Sequence, residues 1–169
     1  MKLKGIHRVN KVINKFIKPF GCKAKIDLDF SYYHDKKIIT WSPMVLEKAD
    51  KYFIKFVNDK YENINADVFL WSLLHEVGHH MTHDKWSDED LKNFMTEKEH
   101  IENYINDDLS VGEEEHIYEL YFNVKDEQCA TEWAAQYMIE NQNEVFNFWN
   151  DFIKVFNKFI KLNDINIAG

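Results

Sequence analysis

From Ala66 to His83 the chain reads ADVFLWSLLHEVGHHMTH, and this stretch limits the fold more than any other. Phe69, Leu70, Leu73, Leu74 and Val77 recur at helical spacing. A helix this apolar must be covered on most of its sides by other elements. Asn65 is placed to cap its start. Gly78 falls in its interior, where glycine costs about 1 kcal/mol relative to alanine. A glycine there is expected where a neighbouring backbone or strand comes close.

Periodicity predicts the elements that supply the cover. A first helix runs from Gly5 to Lys18, with Ile6, Val9, Ile13 and Phe16 at helical steps, and stops at the breakers Pro19 and Gly21. Ala24, Ile26, Leu28 and Phe30 then alternate with polar positions, the pattern of a strand with one wet face. Tyr32 to Asp35 reads as a turn and KIITW, from Lys37 to Trp41, as a second strand, so Ala24 to Trp41 is expected to form an antiparallel hairpin. Ser42 and Pro43 read as the start of a helix to Asn58 that carries Val45, Leu46, Ala49, Phe53 and Phe56. Ser87 with Asp90, and Ser110 with Glu113, resemble capping boxes for two more helices, the second read as Glu113 to Glu140. A packing helix from Val145 to Leu162 closes the chain. The expected class is α+β: predominantly helical, with a small antiparallel sheet near the N-terminus packed on the 66–83 helix. At about 150 residues per domain, 169 residues are expected to form one domain, 1–169.

Composition excludes several classes. Only 5 Gly and 2 Pro leave little material for a loop-rich sandwich or a flexible linker. A net charge of -8 repels phosphate, so nucleic acid is not expected as the main partner. No stretch approaches the roughly 20 apolar residues that cross a bilayer, and the lysine-rich N-terminus lacks the apolar run of a secretory signal. Its amphipathic pattern fits a core-packing helix better than a membrane-surface one. Cys22 and Cys129 form no disulfide framework and no zinc-finger spacing. They are read as free thiols, and the chain as cytoplasmic. The acidic run from Ser87 to Glu119 is read as a solvated helix face rather than a rim that selects substrates.

The chemistry lies in His75-Glu76-Val77-Gly78-His79. Residues four apart on a helix lie one turn above each other, so His75 and His79 point the same way and can grip one cation. Glu76 is about 100° further round the helix and is free to act as general base on a water at that cation. The metal is required because it brings the pKa of such a water near neutrality.

A catalytic zinc takes three protein ligands. A metzincin would place its third histidine at position 85, which is lysine, so that class is excluded. His83 extends the row His75, His79, but a straight helix does not bend it back to the same ion. It is read as a helix-end or supporting residue. Glu127 is the better third ligand. Ala130, Thr131 and Ala134 share its helix face, and small side chains let that helix approach the histidines closely. Thr131 can orient a liganding histidine. Asp126 is the nearer competitor, and Glu132 points elsewhere.

HEVGHHMTH followed by ExxATEWAA resembles the ImmA/IrrE family of small gluzincin metallopeptidases. The resemblance runs from Ala24 through Met138. It implies a minimal gluzincin-type domain, one Zn2+ per chain on His75, His79 and Glu127, and Glu76 as the catalytic base. It further implies a protein or peptide substrate, such as a repressor or regulatory protein, and a setting in phages or mobile elements. Two departures stand out: Thr131 replaces the Asn or Asp usual in that family, and the gap between His79 and Glu127 is long. A second electrophile for the oxyanion is sought among His116, Tyr118, Tyr121 and Tyr137, which the sequence does not rank. Two alternatives stand beside the peptidase. One is a catalytically silent metal-binding or inhibitor protein of the same fold, of phage origin. The other is a helical interaction module without metal.

Overall fold

The computed structural model describes residues 4–27, 29–42, 48–61, 64, 66–104 and 109–163. These fall into two compact units, one containing the chain up to Ser42 and from Tyr137 onward, the other running from Lys48 to Gln136.

In the first unit, helix α1 (Ile6–Ile17) buries Val9, Ile13, Phe16 and Ile17. It packs on the terminal helix α7 (Gln142–Asn163), which buries Val145, Phe148, Phe152 and Phe159. The Phe16 and Phe148 rings stack with centroids 4.0 Å apart. Burying such side chains supplies most of the cohesion, at about 25 cal/mol per Å² of apolar surface. The sheet of this unit consists of β1 (Lys23–Ile26), β2 (Ser31–Tyr33) and β3 (Ile38–Trp41) in the order β1-β3-β2. β3 is central, with Ile39 and Trp41 wholly buried. Trp41 Nε1–H donates to Asn10 Oδ1 of α1 at 2.7 Å. Asn14 bonds both the amide and the carbonyl of Ala24, at 2.9 and 3.1 Å, and so occupies the outer edge of β1 there.

The expected Ala24–Trp41 hairpin is therefore corrected. The antiparallel partner of β3 is β2, formed by Ser31, Tyr32 and Tyr33, although the sequence places Tyr32 and Tyr33 in a turn. β1 pairs with β3 in parallel and ends at Ile26. Alternation shows which side chains share a face but not which strand is the neighbour. Aromatic Tyr32 and Tyr33 favour an extended chain. A short turn at His34–Lys36 then reverses it, with Lys37 in the left-handed region at φ 51°.

In the second unit, α2 (Lys48–Lys60) buries Phe53 and Val57. The expected starting positions Pro43, Val45 and Leu46 lie outside the described residues. Helix α3 (Val68–Thr82) buries eleven of its residues, in one continuous run from Phe69 to Gly78 plus Thr82. Its cap is Asp67, whose carboxylate accepts from the Phe69 amide at 2.8 Å. The expected cap, Asn65, lies outside the described residues. Helices α4 (Asp88–Glu102) and α5 (Val111–Phe122) both begin on complete capping boxes, Ser87 with Asp90 and Ser110 with Glu113. No residue of α4 is buried, as expected of a solvated face, whereas Glu114 of α5, in the same acidic run, is buried and accepts from the Tyr52 hydroxyl at 3.0 Å.

The span from Glu113 to Glu140 is two helices rather than one. α5 ends at Asn123, whose side-chain amide donates to the Glu119 carbonyl at 2.8 Å, and α6 (Lys125–Glu140) begins anew. The backbone N–H and the side-chain amide of Asn123 both donate to that carbonyl and cap the last turn. The break puts Asp126 and Glu127 in the first turn of α6, where the helix dipole favours carboxylates. Among the described residues, no helix is long and apolar enough to cross a membrane. Both cysteines are free, and burial pushes the Cys22 thiol up to about 11.

Candidate metal centre

Gly78 decides how closely α3 and α6 meet. A Cβ on Gly78 would lie 2.3 Å from the Ala130 carbonyl oxygen, so only glycine admits the α6 backbone at this depth. On α6, Ala130, Thr131 and Ala134 are wholly buried, the small-residue face expected beside Glu127.

This contact brings three donor groups together. His75 Nε2 lies 3.0 Å from Glu127 Oε2 and 3.1 Å from His79 Nε2. His79 Nε2 lies 3.4 Å from Glu127 Oε1. The two imidazole planes are nearly perpendicular, at 86°, and the donor atoms of the three residues all lie within 4.8 Å of one another. Two donors held at about 2.0–2.1 Å from a tetrahedral ion stand roughly 3.3–3.4 Å apart. The observed separations come close to that edge length. His75, His79 and Glu127 are thus positioned to bind a metal ion.

The surroundings prepare these groups as ligands. Thr131 Oγ1 lies 3.0 Å from His75 Nδ1. The 3.0 Å contact to Glu127 Oε2 uses a hydrogen on Nε2 in the metal-free protein; with a metal on Nε2, the ring hydrogen would sit on Nδ1 and donate to the Thr131 hydroxyl. Phe53 packs against the His75 ring at 5.0 Å and limits its rotation. Burial pushes the Glu127 carboxyl up, but the charge and hydrogen bonds of His79 and His75 outweigh it and hold the group well below the usual carboxylate range. A deprotonated carboxylate is the form a metal requires.

Glu76 is buried on α3 one position beyond His75. Burial first and the charge of Glu127 next raise the Tyr121 hydroxyl well above its ordinary range, against Lys98, with smaller contributions from Glu102 and Glu76. The other expected supporting residues are placed differently. His83 sits half-buried in the short turn that follows α3. His116 is exposed and faces Glu119 at 4.0 Å. Tyr118 stacks on Tyr52 at 4.7 Å. Tyr137 belongs to the first unit, where its ring meets Phe16 and Phe20 edge-on. Glu132 is half-exposed, with Lys60 Nζ 3.7 Å away.

Sequence reasoning missed Lys98. Its Nζ donates to Asp126 Oδ2 at 2.7 Å and to Glu127 Oε1 at 2.8 Å. Burial alone would lower this amine, but the charges of Glu127 and Asp126 raise it well above its ordinary range. Lys98 lies between Glu97 and Glu99 in the acidic run, and no local pattern distinguishes it from a solvated lysine.

No protein-family model, curated protein or solved structure matches this chain.

Proposed function

We propose that this chain is a zinc metallopeptidase of the gluzincin type, similar to ImmA/IrrE proteins, that hydrolyses a peptide bond in a protein substrate. The observation that carries the reading is the convergence of His75, His79 and Glu127 at separations of 3.0–3.4 Å, with Thr131 behind His75. The donor set supports zinc, since two imidazoles and one carboxylate are the ligands of many hydrolytic zinc sites. Zinc supplies Lewis-acid polarisation of the scissile carbonyl and a water acidic enough to attack at neutral pH.

The chain's own residues do the rest. His75, His79 and Glu127 hold the ion, and Thr131 fixes the His75 ring. Glu76 takes the proton of the attacking water and passes it to the leaving amine, so the nitrogen departs as a neutral group. The buried setting of Glu76 keeps bulk water from competing for that proton.

The test is Glu76→Gln, which leaves the three ligands in place. Wild type and variant are loaded with zinc, assayed for metal content, and incubated with a randomised peptide library read by mass spectrometry. About one zinc per chain is expected in both, with cleavage falling by about 10²–10⁴-fold in the variant. Cleavage that survives in the variant overturns the mechanism. Zinc bound by both with cleavage by neither identifies a catalytically silent metal-binding protein instead.

A further inference from the structure

Lys98 reaches the metal-binding cluster from α4, a helix on which no residue is buried. Its side chain is nevertheless only 17% exposed, because it turns inward to Asp126 and Glu127 and passes 5.9 Å from the centre of the Tyr121 ring. The oxygen it holds, Glu127 Oε1, is the one that stands 3.4 Å from His79 Nε2. The carboxylate that completes the donor set is therefore already paired with a cation belonging to the chain. Asp126 shares that cation through Oδ2, while its Oδ1 is buried without a hydrogen-bond partner.

We propose that Lys98 is a built-in cation that holds Glu127 until a divalent metal ion displaces it, so that this side chain sets how tightly the cluster takes its metal. The inference rests on His75, His79 and Glu127 being the ligand set. Two like charges within a few ångströms repel strongly where water is excluded, and a carboxylate already partly balanced by a shared ammonium attracts a second cation less. Losing the ammonium then has two effects of opposite sign. The metal-free protein is left with two adjacent buried acids and is less stable. The same unpaired acids draw a dication more strongly, so metal binding tightens. A lysine that merely oriented Glu127 would act the other way on the second count, since its loss would weaken metal binding.

The experiment compares wild type with Lys98→Met, Lys98→Gln and Lys98→Arg. Zinc affinity is measured by competition with a chromogenic chelator, and thermal unfolding is followed on EDTA-stripped protein. The Met and Gln variants are expected to bind zinc at least about tenfold more tightly and to melt at lower temperature without metal. The Arg variant, which keeps the charge, is expected to stay close to wild type in both. Equal or weaker zinc binding by the neutral variants overturns the proposal and leaves the ligand set untouched. Lys98→Gln retains polarity and most of the length, so it carries the comparison if Lys98→Met does not fold. If wild type takes up no zinc and His79→Ala changes nothing, the metal reading itself has failed, and this inference is overturned with it.

Discussion

Gly78 of α3 and Ala130 of α6 stand so close that a single added methyl on the former would penetrate the peptide group of the latter. That methyl carbon would be 2.3 Å from the Ala130 oxygen and 2.9 Å from both its carbonyl carbon and Cα. These are backbone atoms of a helix and cannot swing aside as a side chain would. In an isolated helix, Gly→Ala is favourable by about 1 kcal/mol. Here the sign is expected to reverse. Gly78→Ala should destabilise the protein by about 1–3 kcal/mol in urea unfolding, the usual cost of overpacking. It should also weaken zinc binding, because the same contact sets the spacing between the histidines on α3 and Glu127 on α6.

Thr131 gives a more local test. It is wholly buried, and its hydroxyl lies 3.0 Å from His75 Nδ1. Thr131→Val keeps the shape and removes the hydrogen-bond partner, leaving the ring free to choose the other tautomer. Zinc affinity is expected to fall by about 10–100-fold, the range found when partners behind a liganding histidine are lost. Thr131→Ser, which restores the hydroxyl, should recover most of it. Chelator competition on all three proteins checks both statements.

What the sequence revealed and what it concealed follow one physical division. Helical periodicity is a local property, so the alignment of His75 with His79, and of Glu127 with Ala130, Thr131 and Ala134, was legible without a structure. The need for a glycine at position 78 was legible too, as a closely approaching backbone. Partner choice is not local. The alternation of Ala24 and Ile26 predicts a buried face, but nothing in it says that β3 lies beside β1 in parallel. Asn123 caps the last turn of α5 with its side-chain amide, a local feature that an uninterrupted helical pattern hides. Lys98 was the hardest to see. Its two acids lie 28 and 29 residues away, and its neighbours in sequence are glutamates that suggest only solvation.

Acid should act first on the starts of α4 and α5. The Asp90 and Glu113 carboxyls are held below their ordinary values, chiefly by hydrogen bonds from the Ser87 and Ser110 hydroxyls and then by the backbone amides of the same serines. A carboxyl whose folded pKa is depressed contributes stability above its unfolded value of about 4 and loses it as pH falls through the folded value. Amide exchange at Ser87 and Ser110 is therefore expected to accelerate as pH drops below about 4, ahead of amides within α3. Asp90→Asn and Glu113→Gln should remove this pH dependence at their own helix only. Hydrogen exchange followed by NMR, corrected for the intrinsic pH dependence of the chemistry, makes the comparison.

Metal binding and folding should be linked through Glu127. The three donor residues lie on α3 and α6, elements far apart in the chain, so the cluster exists only when both helices are packed. A ligand that binds only the folded form stabilises it by about 2.7 kcal/mol at a hundred times its dissociation constant. Zinc added to EDTA-stripped protein is accordingly expected to raise the melting temperature in proportion to the logarithm of its free concentration. Glu127→Gln keeps the size of the side chain but removes the charge that His75 and His79 face at 3.0 and 3.4 Å. In that variant the zinc-induced shift should fall by more than half at equal free zinc. The metal-free variant should also melt lower than wild type, because Lys98 loses one of its two buried charge-assisted contacts. A zinc shift that persists undiminished in Glu127→Gln would mean that the stabilising ion is held elsewhere, and differential scanning calorimetry at several zinc concentrations distinguishes the two outcomes.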